Sequence, residues 1–382
     1  MALSFDSVNK PENIDAKDWF NWTWQMKNGP KNRAEFSRYI ELTKDESSYF
    51  DSDNEIFKSR GTPYYMSIAA KNEAVRKIIV PRVNEFKSGN QEMKDPLGEE
   101  MHSPTARIVH RYPDRVLFLA TDICSVYCRY CTRKYFTGND QALINTEEYE
   151  MALTYIKSHP EIKEVILSGG DPLTLSDKVL FRILKDLRSI NHIEIIRVGT
   201  RMPVVNPMRI TNELALGIRE YGPVFLMTHF NHPKELTLES SEALSKIVDH
   251  GIPAFNQMVF LNGVNNHTAI VKALSRQLLF LRVKPYYMFQ CDPSMGTDHL
   301  RTSIEESEAI QKELWGKLSG LAMPNLSIDI PNGGGKVGIV PNFEITREDG
   351  KRIYRGWDGK KGEYINPPTF QHELPPDFSE YL

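Results

Sequence analysis

Three of the four cysteines in this chain, Cys124, Cys128 and Cys131, fall inside "TDICSVYCRYCTRKYFTG" with the spacing C-x3-C-x2-C. Thiolates at such spacing bind zinc, copper or an iron–sulfur cluster. A closed zinc site takes four ligands, and the remaining thiol, Cys291, is remote in sequence, although His102 or His110 could complete a set. Three cysteines on one loop suit a 4Fe–4S cube held at three irons. Electron-transfer clusters take four protein thiolates, so a bare fourth iron implies a ligand from outside and catalysis at the cluster. A second candidate is Lys336 in "DIPNGGGKVG". The Walker pattern fails there, because Ile330 occupies the place of its first glycine and Val337 that of its Ser or Thr. Gly333, Gly335 and Gly338 match the dinucleotide fingerprint in spacing, yet "IVPNFEI" follows where a helix is needed. Glycines at these places let the backbone bend round a flat ligand and deliver the lysine, as Schiff-base chemistry with pyridoxal phosphate requires. A plain flexible loop is the other reading.

Composition narrows the class. The chain has 382 residues, 40% of them hydrophobic and 25% charged, with a formal net charge of −3. It shows no dense Lys/Arg run of the kind that binds nucleic acid and no 18-residue apolar run. A cytoplasmic protein without nucleic-acid or membrane partners is expected. Clustered cysteines in that compartment indicate metal or catalysis rather than disulfides.

The elements that must position these groups follow from periodicity. Residues 1–110 read as a helical, irregular N-terminal region. One helix is expected over "AKDWFNWTWQMKN", capped by Asp15 and stopped by Gly29 and Pro30, and another over "NEAVRKIIVPRVNEF". Apolar runs at 115–120, 164–168, 193–199, 223–229, 253–261 and 284–290 alternate with amphipathic stretches. This predicts βαβ units and a parallel sheet over 111–300, either a partial (βα)6 barrel or a flat doubly wound sheet. The barrel is favoured because the cysteines, Gly169-Gly170-Asp171, Thr200-Arg201, His229 and Cys291-Asp292 each follow a strand, where active sites of parallel α/β folds gather. A C-terminal extension, 301–382, contains a helix over 303–320, the strand "NLSIDI", the Lys336 loop and a hairpin or arm. That arm has turns at Glu348-Asp349-Gly350 and Trp357-Asp358-Gly359.

Taken together, "HRYPDRVLFLATDICSVYCRYCTRKYFTG", "LSGGD", "RMPVVNPMRIT", "THFNHP", "PYYMFQCD" and "DIPNGGGK" resemble the lysine 2,3-aminomutase family, from about residue 16 to 345. That family combines the radical S-adenosylmethionine (SAM) cluster with pyridoxal phosphate (PLP). The resemblance implies cluster ligation by Cys124, Cys128 and Cys131, and SAM contacts from Gly169, Gly170, Asp171, His229 and Gln257. It implies Lys336 as the Schiff-base lysine and Arg111, Tyr112 and Arg115 on the PLP phosphate. Arg133 would clamp the substrate carboxylate, with Asp292 and Asp329 on the far ammonium of lysine. The implied reaction moves the α-amine of a free amino acid to C3, with an electron donor such as flavodoxin or ferredoxin and a homo-oligomeric assembly. Alternatives are arginine, glutamate or a protein lysine side chain as substrate, or a zinc-binding protein without activity. Tyr130, Phe289 and His267 depart from the family pattern; the last replaces one of its zinc-binding cysteines.

Overall fold

A nine-stranded sheet runs in strict chain order: β1 (Ile108–Tyr112), β2 (Arg115–Thr121), β3 (Glu164–Gly169), β4 (Ile195–Gly199), β5 (Val224–Thr228), β6 (Ala254–Phe260), β7 (Val283–Gln290), β8 (Asn325–Ile330) and β9 (Gly335–Gly338). The computed structural model describes residues 3–53, 56–87, 89, 91–138, 146–348, 351–366, 375 and 379. Strands β2 to β8 are parallel, each paired with the next. A helix joins each consecutive pair, from Thr146–Lys157 after β2 to Ile304–Leu314 after β7. The sheet curls into a nearly closed partial barrel, as expected, and the six apolar runs become β2 to β7 within two residues of their expected bounds.

Alternation along the strands creates two surfaces. Val165, Leu167, Ile196 and Val198 are fully buried in the apolar core beneath the helices. Their neighbours Ile166, Ser168, Arg197 and Gly199 face the barrel interior, where they line a cavity with Phe225, Gln257 and Tyr287. The helices hold their side of this arrangement with one apolar face each. In Asp177–Arg188, Leu180, Ile183, Leu184 and Leu187 are buried at the i, i+3, i+4, i+7 spacing of a single stripe.

Several elements differ from the sequence expectation. β1 was not expected as a strand; only Ile108 and Val109 are fully buried, so its apolar signal is too short to read. It forms an antiparallel hairpin with β2 across Pro113 and Asp114. The helix expected over 16–28 is two, Ala16–Trp19 and Trp22–Lys27, because Asn21 turns its side chain onto the amides of Thr23 and Trp24 and starts a new helix. The 303–320 helix ends at Leu314, and the Lys336 loop is an antiparallel β8–β9 hairpin that turns at 331–334, with Gly335 and Lys336 already in β9. The expected boundary at 110/111 falls inside β1, and β8 and β9, assigned to the C-terminal extension, complete the barrel sheet. The tail forms a separate three-stranded sheet, Glu344–Glu348, Lys351–Arg355 and Lys361–Ile365. The turn at 349–350 lies outside the described residues.

The N-terminal region braces the cysteine loop. Within the motif, Arg129 is fully buried and donates to Glu85 at 2.8 Å and to Tyr49 at 2.9 Å. The amides of Tyr127 and Arg129 donate to the carbonyls of Arg60 and Ile78. From the other side the loop meets the turn after β3, where Gly170 and Asp171 donate their amides to Thr121 and Ile123 at 2.6 and 2.8 Å. A methyl group on Gly170 would lie 2.2 Å from the Ile123 carbonyl oxygen. Gly170→Ala is therefore expected to destabilise the fold by roughly 2–3 kcal/mol and to lower iron uptake on reconstitution. Calorimetry and iron analysis check this; an unchanged melting temperature contradicts it.

Candidate active site

The strand ends converge on one cavity of about 300 Å3. Its lining includes Cys124, Cys128 and Cys131, the Gly169-Gly170-Asp171 turn, His229, Gln257, Arg133, Asp292, Asp329 and Lys336. A second cavity of about 590 Å3 continues down the barrel interior, lined by Arg111, Tyr112, Arg115, Arg133, Phe289 and Lys336. Gln257, Arg133, Phe289 and Lys336 border both. All the expected site residues thus share one continuous space.

At the cysteine end, burial pushes the Cys124 thiol well up, with Asp171 and the other two cysteines adding to the effect; burial also raises Cys131. Thiols in such surroundings ionise when a cationic metal centre is there to receive them. Among the described residues no three His, Cys, Asp or Glu groups stand close enough to share a single metal ion. A cube accepts thiolates on three separate irons, so convergence on one point is not required of its ligands. His229 stacks on Tyr130, ring centroids 5.5 Å apart, and its Nε2 has no hydrogen-bond partner among the described residues. Burial, with Arg201 beside it, pushes its imidazole down to about 3, so it is neutral near neutral pH. An orphaned, neutral ring nitrogen beside three thiols, together with a glycine turn that keeps side chains away, fits a cluster carrying a polar ligand.

Asp171 is otherwise engaged. Its carboxylate accepts from Thr200 Oγ1 and the Arg201 amide, both at 2.7 Å, and from the Leu173 amide at 3.0 Å. It fastens the β3 turn to the β4 turn, leaving the glycine backbone to face the cavity. Arg201, given no role by sequence, donates to Cys128 Sγ at 2.8 Å and to Glu235 at 2.6 Å.

At the other end, the β8–β9 register sets Asp329 opposite Lys336, and Lys336 Nζ donates to Asp329 Oδ1 at 3.2 Å. The ammonium lies 5.1 Å from the centre of the Phe289 ring, and the Lys336 amide donates to the Tyr112 hydroxyl at 2.8 Å. Gly335 has φ +82°, and a methyl group there would press on that hydroxyl. Arg111 approaches Asp329 at 3.9 Å and donates to the Leu97 carbonyl, while its Nε lacks a partner among the described residues. Arg115 pairs with Asp114 at 2.7 Å and lies over the Tyr112 ring. Arg133 is engaged bidentately by Glu99, a residue that sequence reading leaves in an unremarkable loop. A space with a lysine at its wall, aromatic rings beside it and cationic side chains along it fits a flat, phosphorylated aldehyde. His267 caps the helix Thr268–Phe280 by accepting the Ala269 amide at 3.1 Å. No helix among the described residues is long and apolar enough to cross a membrane.

A parallel partial barrel with three cysteines on the loop after its first parallel strand is the build of a radical SAM enzyme, and the Radical SAM superfamily profile matches residues 118–271. A lysine-2,3-aminomutase profile matches residues 311–381. The L-lysine 2,3-aminomutase of Acetoanaerobium sticklandii is 42% identical, covering 94% of this chain and 87% of that protein. That of Fusobacterium nucleatum is 40% identical over 94% and 86%. The glutamate 2,3-aminomutase of Clostridioides difficile is 37% identical over 90% and 82%. The chain belongs to the lysine 2,3-aminomutase family. It is accordingly a radical SAM isomerase acting on an amino acid, with a 4Fe–4S cluster, SAM and PLP as cofactors.

Asp292 faces the same space, and burial, then Asp329, pushes its carboxyl up to about 7. A carboxyl raised above its unfolded value holds its proton longer in the folded chain, so it favours folding more as pH falls from about 7 toward 4. The stability of the wild type relative to Asp292→Asn should rise by about 2 kcal/mol between pH 7 and 5. Denaturant titrations at each pH measure it; a pH-independent difference removes the assignment.

Proposed function

We propose that this enzyme is a lysine 2,3-aminomutase, moving the α-amino group of L-lysine to C3 to give β-lysine. The observation that carries the substrate choice is the pair of carboxylates, Asp292 and Asp329, at the cavity wall beside Lys336. Burial, then the neighbouring Asp329, pushes the Asp292 carboxyl up, and a cation between two such carboxylates relieves their repulsion. The far ammonium of lysine supplies such a cation. A substrate ending in a second carboxylate would add a third negative charge to the same place.

In this reading Cys124, Cys128 and Cys131 hold the cluster, with SAM received by the glycine backbone at Gly169 and Gly170 and by His229 and Gln257. When bound, these groups supply one-electron cleavage of SAM to a hydrogen-abstracting radical, and PLP carries the migrating nitrogen. Lys336 would hold PLP, and Arg111, Tyr112 and Arg115 would receive its phosphate, a task suited to guanidinium forks. Asp329 accepts from Lys336 Nζ and stabilises its ammonium. Arg133 takes the substrate carboxylate. With charged groups fixed at both ends of the amino acid, C2 and C3 are held in register for hydrogen removal and return. Walls such as Phe225, Phe255 and Phe289 keep water from the reacting carbon.

The deciding experiment is anaerobic reconstitution with iron, sulfide and PLP, followed by a screen of free amino acids for β-isomers. Lysine turnover with little from arginine or glutamate is expected. Asp329→Asn should lower kcat/KM for lysine by about 100-fold, the order of one buried charge contact. Unchanged kinetics would discredit the ammonium assignment.

A further inference from the structure

Arg133 carries five N–H donors. Its Nε and Nη2 each donate to a different oxygen of Glu99 at 2.7 Å, and Nη1 donates to Ser168 Oγ at 3.1 Å. One donor on Nη1 and one on Nη2 are left over, which is the number a carboxylate accepts from the end of a guanidinium. Arg133 borders both cavities, so this free edge belongs to the space where a substrate would lie. Glu99 itself is 3% exposed. Burial pushes its carboxyl up, but Arg133, the Tyr135 hydroxyl and Arg111 more than offset this and hold it below the usual carboxylate range.

Glu99 is itself held in place. It sits on the segment Pro96–His102, whose Pro96 carbonyl accepts the amide of Asn332 and whose Leu97 carbonyl accepts from Arg111. Gly98, at φ +62°, lies so close to the turn before Lys336 that a methyl group would stand 2.7 Å from the Gly333 amide. The same seven residues therefore touch the arginine at the substrate end, the arginine beside Asp329 and the turn that carries the lysine.

We propose that Glu99 is a positioning residue: it takes one edge of Arg133 and so fixes the other as a receptor for the α-carboxylate of a free amino acid. The inference rests on the reading of Arg133 as the carboxylate clamp and deepens it. A guanidinium without this partner would swing on a flexible stem, and its two remaining donors would no longer be presented as a fork. Selection of free amino acids over amines and amides then originates in a residue that never touches them.

The test is equilibrium binding of L-lysine and of lysinamide, which lacks the carboxylate, to the PLP-loaded protein. Wild type should bind lysine more tightly than the amide. In Glu99→Gln the Kd for lysine should rise about 10- to 30-fold, the order of a charge-assisted bidentate contact, while that for lysinamide stays within about twofold. Tyr135→Phe, which removes one hydrogen bond to Glu99 and keeps the charges balanced, should raise the lysine Kd about threefold in the same selective way. It keeps the test open if the Gln variant does not fold. Equal loss for both ligands points to a structural role and overturns the proposal, as does an unchanged lysine Kd. If wild type does not distinguish lysine from lysinamide, the reading of Arg133 fails first; if wild type distinguishes them and Glu99→Gln does so equally, only the role of Glu99 falls.

Discussion

Buried charge in this barrel has to be balanced pair by pair, and the site takes its form from that requirement. Among the charged side chains that face one space are Glu99, Asp292 and Asp329 and the cationic Arg111, Arg133 and Lys336. Glu99 is matched to Arg133, and Asp329 to Lys336 with Arg111 close by. Asp292 has no such close partner among the described residues, and burial, then Asp329, raises its carboxyl. The Glu99–Arg133 and Asp329–Arg111 contacts also join elements distant in sequence, since ions taken out of water must find each other. Charge matching thus brings the 96–102 segment, the cysteine loop and the β8–β9 hairpin to the same place.

The parallel strands were legible because each is a short run of buried apolar residues, and the rim of the barrel was legible because chemistry-bearing residues recur just after them. Less visible were elements whose stability comes from partners. β1 is held by its ladder with β2 rather than by apolar content. The break between Trp19 and Trp22 turns on the Asn21 side chain, which competes with the helix for backbone donors. β9 has one buried residue among four and reads as a glycine loop, which its turn indeed is.

The site residues divide along the same line. Cys124, Cys128, Cys131 and Lys336 stand in motifs whose spacing carries the chemistry, so sequence alone selects them. Glu99 and Arg201 stand in no motif. "KDPLGEEMHSP" has the composition of a surface loop, and only the fold turns one of its two glutamates inward. Arg201 follows a strand, yet its use of every guanidinium nitrogen depends on Tyr65, Cys128, His229 and Glu235, which come from three separate stretches. A cue was available in retrospect: a charged residue next to a strand end of a parallel barrel is seldom spent on solvent.

The hairpin that carries Lys336 places a further constraint on this chain. Asp329 and Lys336 are cross-strand partners, and side chains alternate between the two faces of a strand. Adding or deleting one residue between Ile330 and Gly335 would slip the pairing and turn the lysine out of the barrel. The composition of that connection can drift, within what its left-handed glycines permit, but its length is frozen.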